Sequence, residues 1–105
     1  MVWLMISVYI TCRDMPESKR IAAKLLESKL IACANIFPVE SMFIWEGKLK
    51  KEKEAAMFCK AKKDNFRKIK EEVKKLHSYE VPCIIKMKED ANKDKTAGKL
   101  RQLKL

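Results

Sequence analysis

The sequence predicts an α+β fold, a ferredoxin-like βαββαβ sandwich in which two helices cover one face of a four-stranded sheet. The sequence contains four apolar runs with strand periodicity and two stretches with apolar residues at helical spacing. They follow one another in the order βαββαβ. Residues 30–61 contain two long strand-like runs joined by a short stretch that includes Gly47. Because glycine adopts the positive φ of a tight turn without strain, this segment is predicted to be a long hairpin.

Length and charge restrict the class of protein. The chain has 105 residues, and we expect residues 1–105 to form a single domain. It contains no apolar run long enough for a transmembrane helix, so no membrane insertion is expected. The net charge is +10, but the lysines are mixed with acidic residues and accompany no nucleic-acid-binding motif. A solvated basic surface is therefore predicted, and no nucleic-acid partner is expected.

The cysteines indicate the cellular compartment. The chain has four, and no two of them form a CxxC pair: Cys12, Cys33, Cys59 and Cys83. Each lies in or beside an apolar run, where a free thiol behaves as a small hydrophobic side chain. The alternating start of the chain is typical of a strand and not of a signal peptide. We expect reduced core cysteines in a cytoplasmic protein.

The first strand is predicted over residues 2–11, and its two faces are both uncharged. Such a strand needs cover on both sides, and part of this cover is expected from another subunit. A helix should follow, with Asp14 as its cap, Pro16 in its first turn and Glu17 completing a capping box. The helical spacing predicts that Ser18 faces solvent.

The second strand is predicted to begin at Leu30, with a bulge or bend at Pro38 and Glu40. After the third strand, Asp64 should cap the second helix, whose apolar residues have clear helical spacing: Phe66, Ile69, Val73 and Leu76. The fourth strand is predicted over residues 81–87. Residues 88–105 are polar and lysine-rich, and they are expected to form a weakly ordered or helical tail.

Three motifs resemble the CutA divalent-cation tolerance proteins. Residues 30–38, LIACANIFP, resemble the stretch LAACvNIiP of that family. The segment WEGK at residues 45–48, with Glu54 and Lys60, matches its hairpin motif, and residues 77–82, HSYEVP, match its HpYxxPe motif. The resemblance covers roughly residues 7–86. It implies a ferredoxin-like homotrimer, joined through the long hairpin, that acts in tolerance of divalent cations, mainly copper.

The edges of the long hairpin independently favour pairing with another copy of the chain. Two departures from the family pattern stand out. Cys83 replaces the glutamate that usually follows the proline of the last motif, and the C-terminal segment lacks the usual aromatic pair.

The resemblance also implies candidate metal ligands. Copper binding attributed to some CutA members uses a cysteine at the end of the first strand and two histidines before the tyrosine motif. The corresponding positions are Ile10, Leu76 and His77, of which only His77 is a ligand type. Cys12 lies two residues beyond Ile10, and Cys83 is the other nearby thiol. His77, Cys12 and Cys83 are therefore the candidates to hold copper or another divalent cation.

Four further residues are predicted to line an intersubunit cleft or to support assembly: Trp45, Glu54, Lys60 and Tyr79. A purely structural role, with an ion pair and a capped loop holding the trimer together, is the alternative. The single histidine has no evident nucleophilic partner, so no catalytic residue and no enzymatic activity are predicted.

The sequence leaves two other functional classes open. One is a signalling trimer like the PII proteins, which share this fold and bind small anionic ligands between subunits. The short connection at residues 45–48 argues against it, because a long flexible loop would be expected there. The other is an RNA-binding module, which only the positive charge favours.

Overall fold

The computed structural model of the protein describes residues 5–88. Its elements follow one another in this order: β1 (Met5–Cys12), α1 (Met15–Glu27), β2 (Cys33–Trp45), β3 (Lys48–Lys62), a 3-10 turn (Lys63–Asn65), α2 (Phe66–Leu76) and β4 (Ile84–Lys88). The predicted order βαββαβ is confirmed. The expected tail lies outside the described residues, apart from Lys88, which ends β4. Among residues 5–88, neither helix is long and apolar enough to cross a membrane.

The four strands form one sheet in the order β2-β3-β1-β4, and every neighbouring pair is antiparallel. This is an α+β fold with the ferredoxin-like topology that the sequence predicts. The two central strands, β1 and β3, carry the core, and both helices pack on one face of the sheet. Alternation along β1 directs Ile6, Val8 and Ile10 toward the helices. They pack there against Ile21 of α1 and Ile69 of α2 in one buried cluster.

The turn of the long hairpin has the conformation that the sequence predicts. Glu46 and Gly47 have φ values of 51° and 76°, the positive pair that a two-residue turn of type I′ requires. The predicted bulge is wrong, because the β2–β3 register runs without interruption and Pro38 pairs with Ala55. Since β2 is an edge strand, a residue without an N–H group is tolerated there. The strand begins at Cys33 and not at Leu30, because the chain first turns at Lys29.

Two details of the helices differ from the prediction. Ser18 is 0% exposed instead of facing solvent, because the first turn of α1 packs against the end of β1. Asp64 does not cap α2, because residues 63–65 form a 3-10 turn and the helix begins at Phe66. The predicted cap of α1 is confirmed: Asp14 Oδ1 accepts a hydrogen bond of 2.9 Å from the Glu17 N–H group.

The face of the sheet opposite the helices is apolar and partly open. Tyr9, Phe37 and Phe58 lie together on it. The ring centroid of Phe58 is 5.1 Å from that of Tyr9 and 5.8 Å from that of Phe37. On β4, Ile85 and Met87 remain 48% and 36% exposed. Cover from another subunit on this face remains a prediction.

The hairpin extends well beyond the rest of the sheet. The β1–β3 pairing ends where Cys12 lies opposite Ala55, and β2 and β3 continue together to Trp45 and Lys48. We call residues 39–54 the hairpin arm. Its length is about 23 Å at about 3.3 Å per residue, and the molecule measures 49 × 28 × 20 Å. Large apolar side chains on the arm are 38–67% exposed: Met42, Phe43, Ile44, Trp45 and Leu49.

Candidate functional site

Three side chains of metal-ligand type meet where the end of β1, the first turn of α1 and the loop after α2 come together. Cys12, Glu17 and His77 each offer one ligand atom, and these atoms all lie within 4.8 Å of one another. We call these three residues the Cys12–Glu17–His77 cluster. No other group of three such side chains converges in the part of the chain that the structure describes. The position of each residue in its element places it in the cluster. Cys12 ends β1 on the side that faces the helices, and His77 directly follows α2.

Glu17 is the member of the cluster that sequence reasoning missed as a ligand. The capping motif placed it in the first turn of α1, but its carboxylate accepts the N–H group of Arg13, the residue before the capping Asp14. Oε1 accepts a hydrogen bond of 2.9 Å from the Arg13 N–H group, and Oε2 accepts one of 2.9 Å from the Ser78 N–H group. The side chain is 1% exposed, and its Oε2 atom lies 3.7 Å from the Arg20 guanidinium. Glu17 therefore ties the start of α1 to the loop after α2.

The carboxyl group of Glu17 stays ionised despite its burial. Burial by itself raises the pKa of this group, but hydrogen bonds from Arg13 and Ser78 outweigh it. The net pKa lies below the ordinary value of 4.5. A charged carboxylate is thus available beside the thiol and the imidazole at neutral pH.

The hydrogen bonds of His77 define its tautomer. Its Nε2 atom lies 2.7 Å from the Thr11 carbonyl oxygen, which can only accept, so Nε2 carries a proton. Its Nδ1 atom accepts a hydrogen bond of 3.0 Å from the Tyr79 N–H group and lies 3.9 Å from Glu17 Oε1. Nδ1 therefore holds the lone pair of the ring, and the Tyr79 N–H group occupies it. Metal-binding histidines commonly donate their other N–H to a backbone carbonyl in this way.

Cys12 is held as a thiol. Burial raises the pKa of its side chain to about 11, although the neighbouring Ser18 hydroxyl lowers it to some extent. Ser18 Oγ is buried and makes no hydrogen bond to an oxygen or nitrogen atom, the one such side-chain atom among the described residues. Buried polar groups nearly always find partners, and the neighbour of this hydroxyl is the Cys12 sulfur.

Cys83 does not join the cluster. It is exposed and lies in the loop before β4, so its prediction as a core cysteine is wrong. Its backbone carbonyl accepts a hydrogen bond of 3.4 Å from the Thr11 N–H group, which fixes the loop but not the thiol. The structure brings Cys12 and His77 together as predicted, and Glu17 supplies the third ligand type.

The predicted cleft residues lie in three separate places. The Tyr79 hydroxyl donates a hydrogen bond of 2.6 Å to Glu54 Oε2, and Ser41 Oγ donates one of 2.5 Å to Glu54 Oε1. Tyr79 also lies against His77, with ring centroids 4.8 Å apart. Lys60 lies six residues along β3 from Glu54, about 20 Å away, and donates a hydrogen bond of 2.9 Å to Ser7 Oγ. Trp45 is 60% exposed at the tip of the arm.

A groove of about 510 Å³ lies at the opposite end of the sheet from the cluster. It is bordered by the start of β1, the end of α1 and the end of β3, and two lysines, Lys29 and Lys62, contribute to its lining. None of the predicted site residues lies in it.

Comparison with known proteins identifies close relatives. The profile of the family described as CutA1 divalent ion tolerance protein matches residues 6–98. The divalent-cation tolerance protein CutA of Archaeoglobus fulgidus is 49% identical over 77 residues, which are 73% of this chain and 76% of the relative. The protein of the same name from Pyrococcus horikoshii is 38% identical over 91 residues, which are 86% of this chain and 89% of that relative.

The fold agrees with these sequence matches. The solved structure of the periplasmic divalent cation tolerance protein CutA from Archaeoglobus fulgidus matches with a TM-score of 0.80 at 39% identity. The match covers 93% of this chain and 96% of that one. Sequence and fold therefore point to the same family.

Proposed function

Since the chain belongs to the CutA1 family of divalent ion tolerance proteins, we propose that it acts by binding a divalent cation at the Cys12–Glu17–His77 cluster. One observation carries this proposal: a thiol, a carboxylate and an imidazole converge within 4.8 Å in a buried position. The buried Ser18 hydroxyl beside Cys12 supplies a further polar atom. The role is binding and not catalytic turnover.

The donor set selects the class of ion. Sulfur, nitrogen and oxygen ligands together suit borderline ions such as Zn²⁺ and Cu²⁺, whereas Mg²⁺ and Ca²⁺ prefer oxygen ligands alone. The thiol must ionise to bind, and its pKa is about 11, so binding releases a proton from Cys12. The apparent affinity should therefore rise with pH, by up to about tenfold per unit below that pKa.

Calorimetric titration with Zn²⁺, and separately with Cu²⁺, tests this proposal. Cys12→Ser and His77→Ala should each weaken binding at least about tenfold, the effect expected when a ligand is lost. Cys83→Ser is the matched control, because it removes an exposed thiol outside the cluster. Circular dichroism of each variant establishes that it is folded. Unchanged affinity in a folded Cys12→Ser variant would overturn the proposal.

We also propose that the protein assembles as a homotrimer through the hairpin arm. The arm extends beyond β1, exposes large apolar side chains and has two unpaired strand edges. Such edges pair readily with another chain, and identical chains favour closed symmetric assemblies. Trp45 and the Glu54–Tyr79 contact are the assembly residues in this proposal, and Lys60 contributes from the open face of the sheet.

A cytoplasmic location is the accompanying proposal. The four free cysteines are compatible with a reducing compartment. The solved relative from Archaeoglobus fulgidus is described as periplasmic. The alternative function, a PII-like signalling trimer, gains no support, because the matches described above are CutA proteins and the hairpin turn has only two residues.

A further inference from the structure

We propose that Tyr79 couples ion binding at the cluster to the hairpin arm, so that a bound ion releases the contact that holds the root of the arm. The coupling rests on the proposed function, because it requires an ion at the Cys12–Glu17–His77 cluster. It assigns to Tyr79 a regulatory role for that site and not a ligand role.

The first step is competition for one lone pair. His77 Nδ1 lies 3.9 Å from Glu17 Oε1, and it already accepts the Tyr79 N–H group at 3.0 Å. One nitrogen lone pair cannot serve both a metal ion and an N–H donor. The Nε2 atom is committed to the Thr11 carbonyl oxygen at 2.7 Å. Binding through Nδ1 therefore displaces the Tyr79 amide.

The second step carries this displacement to the hairpin. The Tyr79 hydroxyl donates to Glu54 at 2.6 Å, and Ser41 on β2 donates to the other oxygen of the same carboxylate. Glu54 is the first residue of β3 beyond the last pair with β1, where Cys12 lies opposite Ala55. The hydroxyl thus connects the loop after α2 to the root of the arm, where β1 no longer supports it.

The third step follows from thermodynamic reciprocity. If an ion weakens the contact between Tyr79 and Glu54, then that contact must oppose ion binding by the same factor. Removing the hydroxyl should consequently strengthen ion binding, although Tyr79 is not a ligand. Coupling between sites is typically 5- to 150-fold, and we expect about tenfold tighter Zn²⁺ binding for a single lost hydrogen bond.

Zn²⁺ titration of the native assembly and of Tyr79→Phe tests the coupling. The substitution keeps the ring against His77 and removes only the hydroxyl. Tyr9→Phe is the matched control, because it removes the other tyrosine hydroxyl of the chain from the open face of the sheet. Tyr79→Phe should bind Zn²⁺ about tenfold more tightly, and Tyr9→Phe should bind it like the wild type.

Hydrogen exchange supplies an independent measurement. Zn²⁺ should speed exchange of the Tyr79 amide and of amides near Ser41 and Glu54 in the wild type. In Tyr79→Phe the amides at the root of the arm should exchange fast with or without the ion. Equal or weaker Zn²⁺ affinity in folded Tyr79→Phe would overturn the coupling alone. Failure of the wild type to bind either Zn²⁺ or Cu²⁺ would instead overturn the proposed function.

Discussion

Glu17 shows how one buried carboxylate joins two parts of the chain. Its two oxygens accept N–H groups from Arg13 and Ser78, one before α1 and one after α2. Hydrogen bonds to a charged group are worth about 1.5–3 kcal/mol each, and a donor left without its partner costs about as much. The side chain therefore holds the loop that carries His77 in place.

We expect stability to fall at acidic pH because of Glu17. Its pKa in the folded state lies below the ordinary value of 4.5, so its contribution is fully present above 4.5. The contribution is lost as the pH falls through the lowered folded-state pKa. Urea unfolding between pH 7 and pH 3 measures this loss. Glu17→Gln should be less stable at pH 7 by about 1–3 kcal/mol and should show a flatter pH profile.

Glu27→Gln is the control for this experiment, because Glu27 is an exposed residue of the same helix. It should retain both the stability and the pH profile of the wild type. Identical profiles for Glu17→Gln and the wild type would contradict the role given to Glu17.

Single residues were predicted from sequence where a local rule or the family resemblance decides. Cys12 and His77 were identified through the resemblance to the CutA proteins, because His77 matches a ligand position of that family and Cys12 lies two residues beyond another. Glu17 was identified as a capping residue, since spacing along one helix reveals capping, but its contact with Ser78 spans 61 positions of sequence. The burial of Ser18 was missed for the same reason, because it depends on packing between α1 and β1.

At the scale of elements, the hairpin turn provides a direct test. Gly47 has a φ of 76°, and a Cβ atom added there would meet nothing within 4 Å. Gly47→Ala should therefore destabilise the protein through backbone strain alone, by about 1–2 kcal/mol. Thermal or urea unfolding measures the loss.

Gly47→Asn is the comparison for this substitution, since asparagine tolerates the left-handed region better than alanine does. It should lose less stability than Gly47→Ala. A Gly47→Ala protein as stable as the wild type would show that the turn adopts another conformation.

Elements were predicted well where the pattern itself is periodic. Ile69 and Val73 are buried in α2 as their spacing predicts, and the two-residue turn follows from the position of Gly47. The prediction of a bulge at Pro38 was wrong because a proline in a strand has two explanations, a bulge or an edge position. Only the strand order shows that β2 is an edge strand.

At the scale of the whole molecule, assembly should make stability depend on concentration. If unfolding is coupled to dissociation of a trimer, the melting temperature rises with protein concentration. Light scattering at micromolar concentration should give the mass of three chains. Trp45→Glu should shift the mass toward smaller species, because it places a charge on the exposed tip of the arm.

Trp45→Phe is the conservative control and should remain a trimer, since it keeps an apolar ring at the same position. A stable monomer of the wild-type chain, or a melting temperature independent of concentration, would contradict the proposed assembly.

The topology of the whole chain was predictable because helices and strands alternate in an order that few folds accommodate. The uncharged second face of β1 indicated a surface in need of cover, and Tyr9 lies on that partly open face. Another subunit is the predicted cover, but its contacting residues could not be derived from the sequence, because contacts between chains leave no periodic pattern within one chain.

The two edges of the hairpin arm differ in character, which limits how far the protein can polymerise. The β2 edge carries Met42, Phe43, Ile44 and Trp45, whereas the facing part of β3 is dominated by lysines. Lysines on a strand edge oppose the addition of a further strand. An arm with two adhesive edges could add copies without end and form fibres, and the lysine-rich edge opposes this. A closed ring of three then requires the β2 edge of one copy to meet a different surface of the next copy.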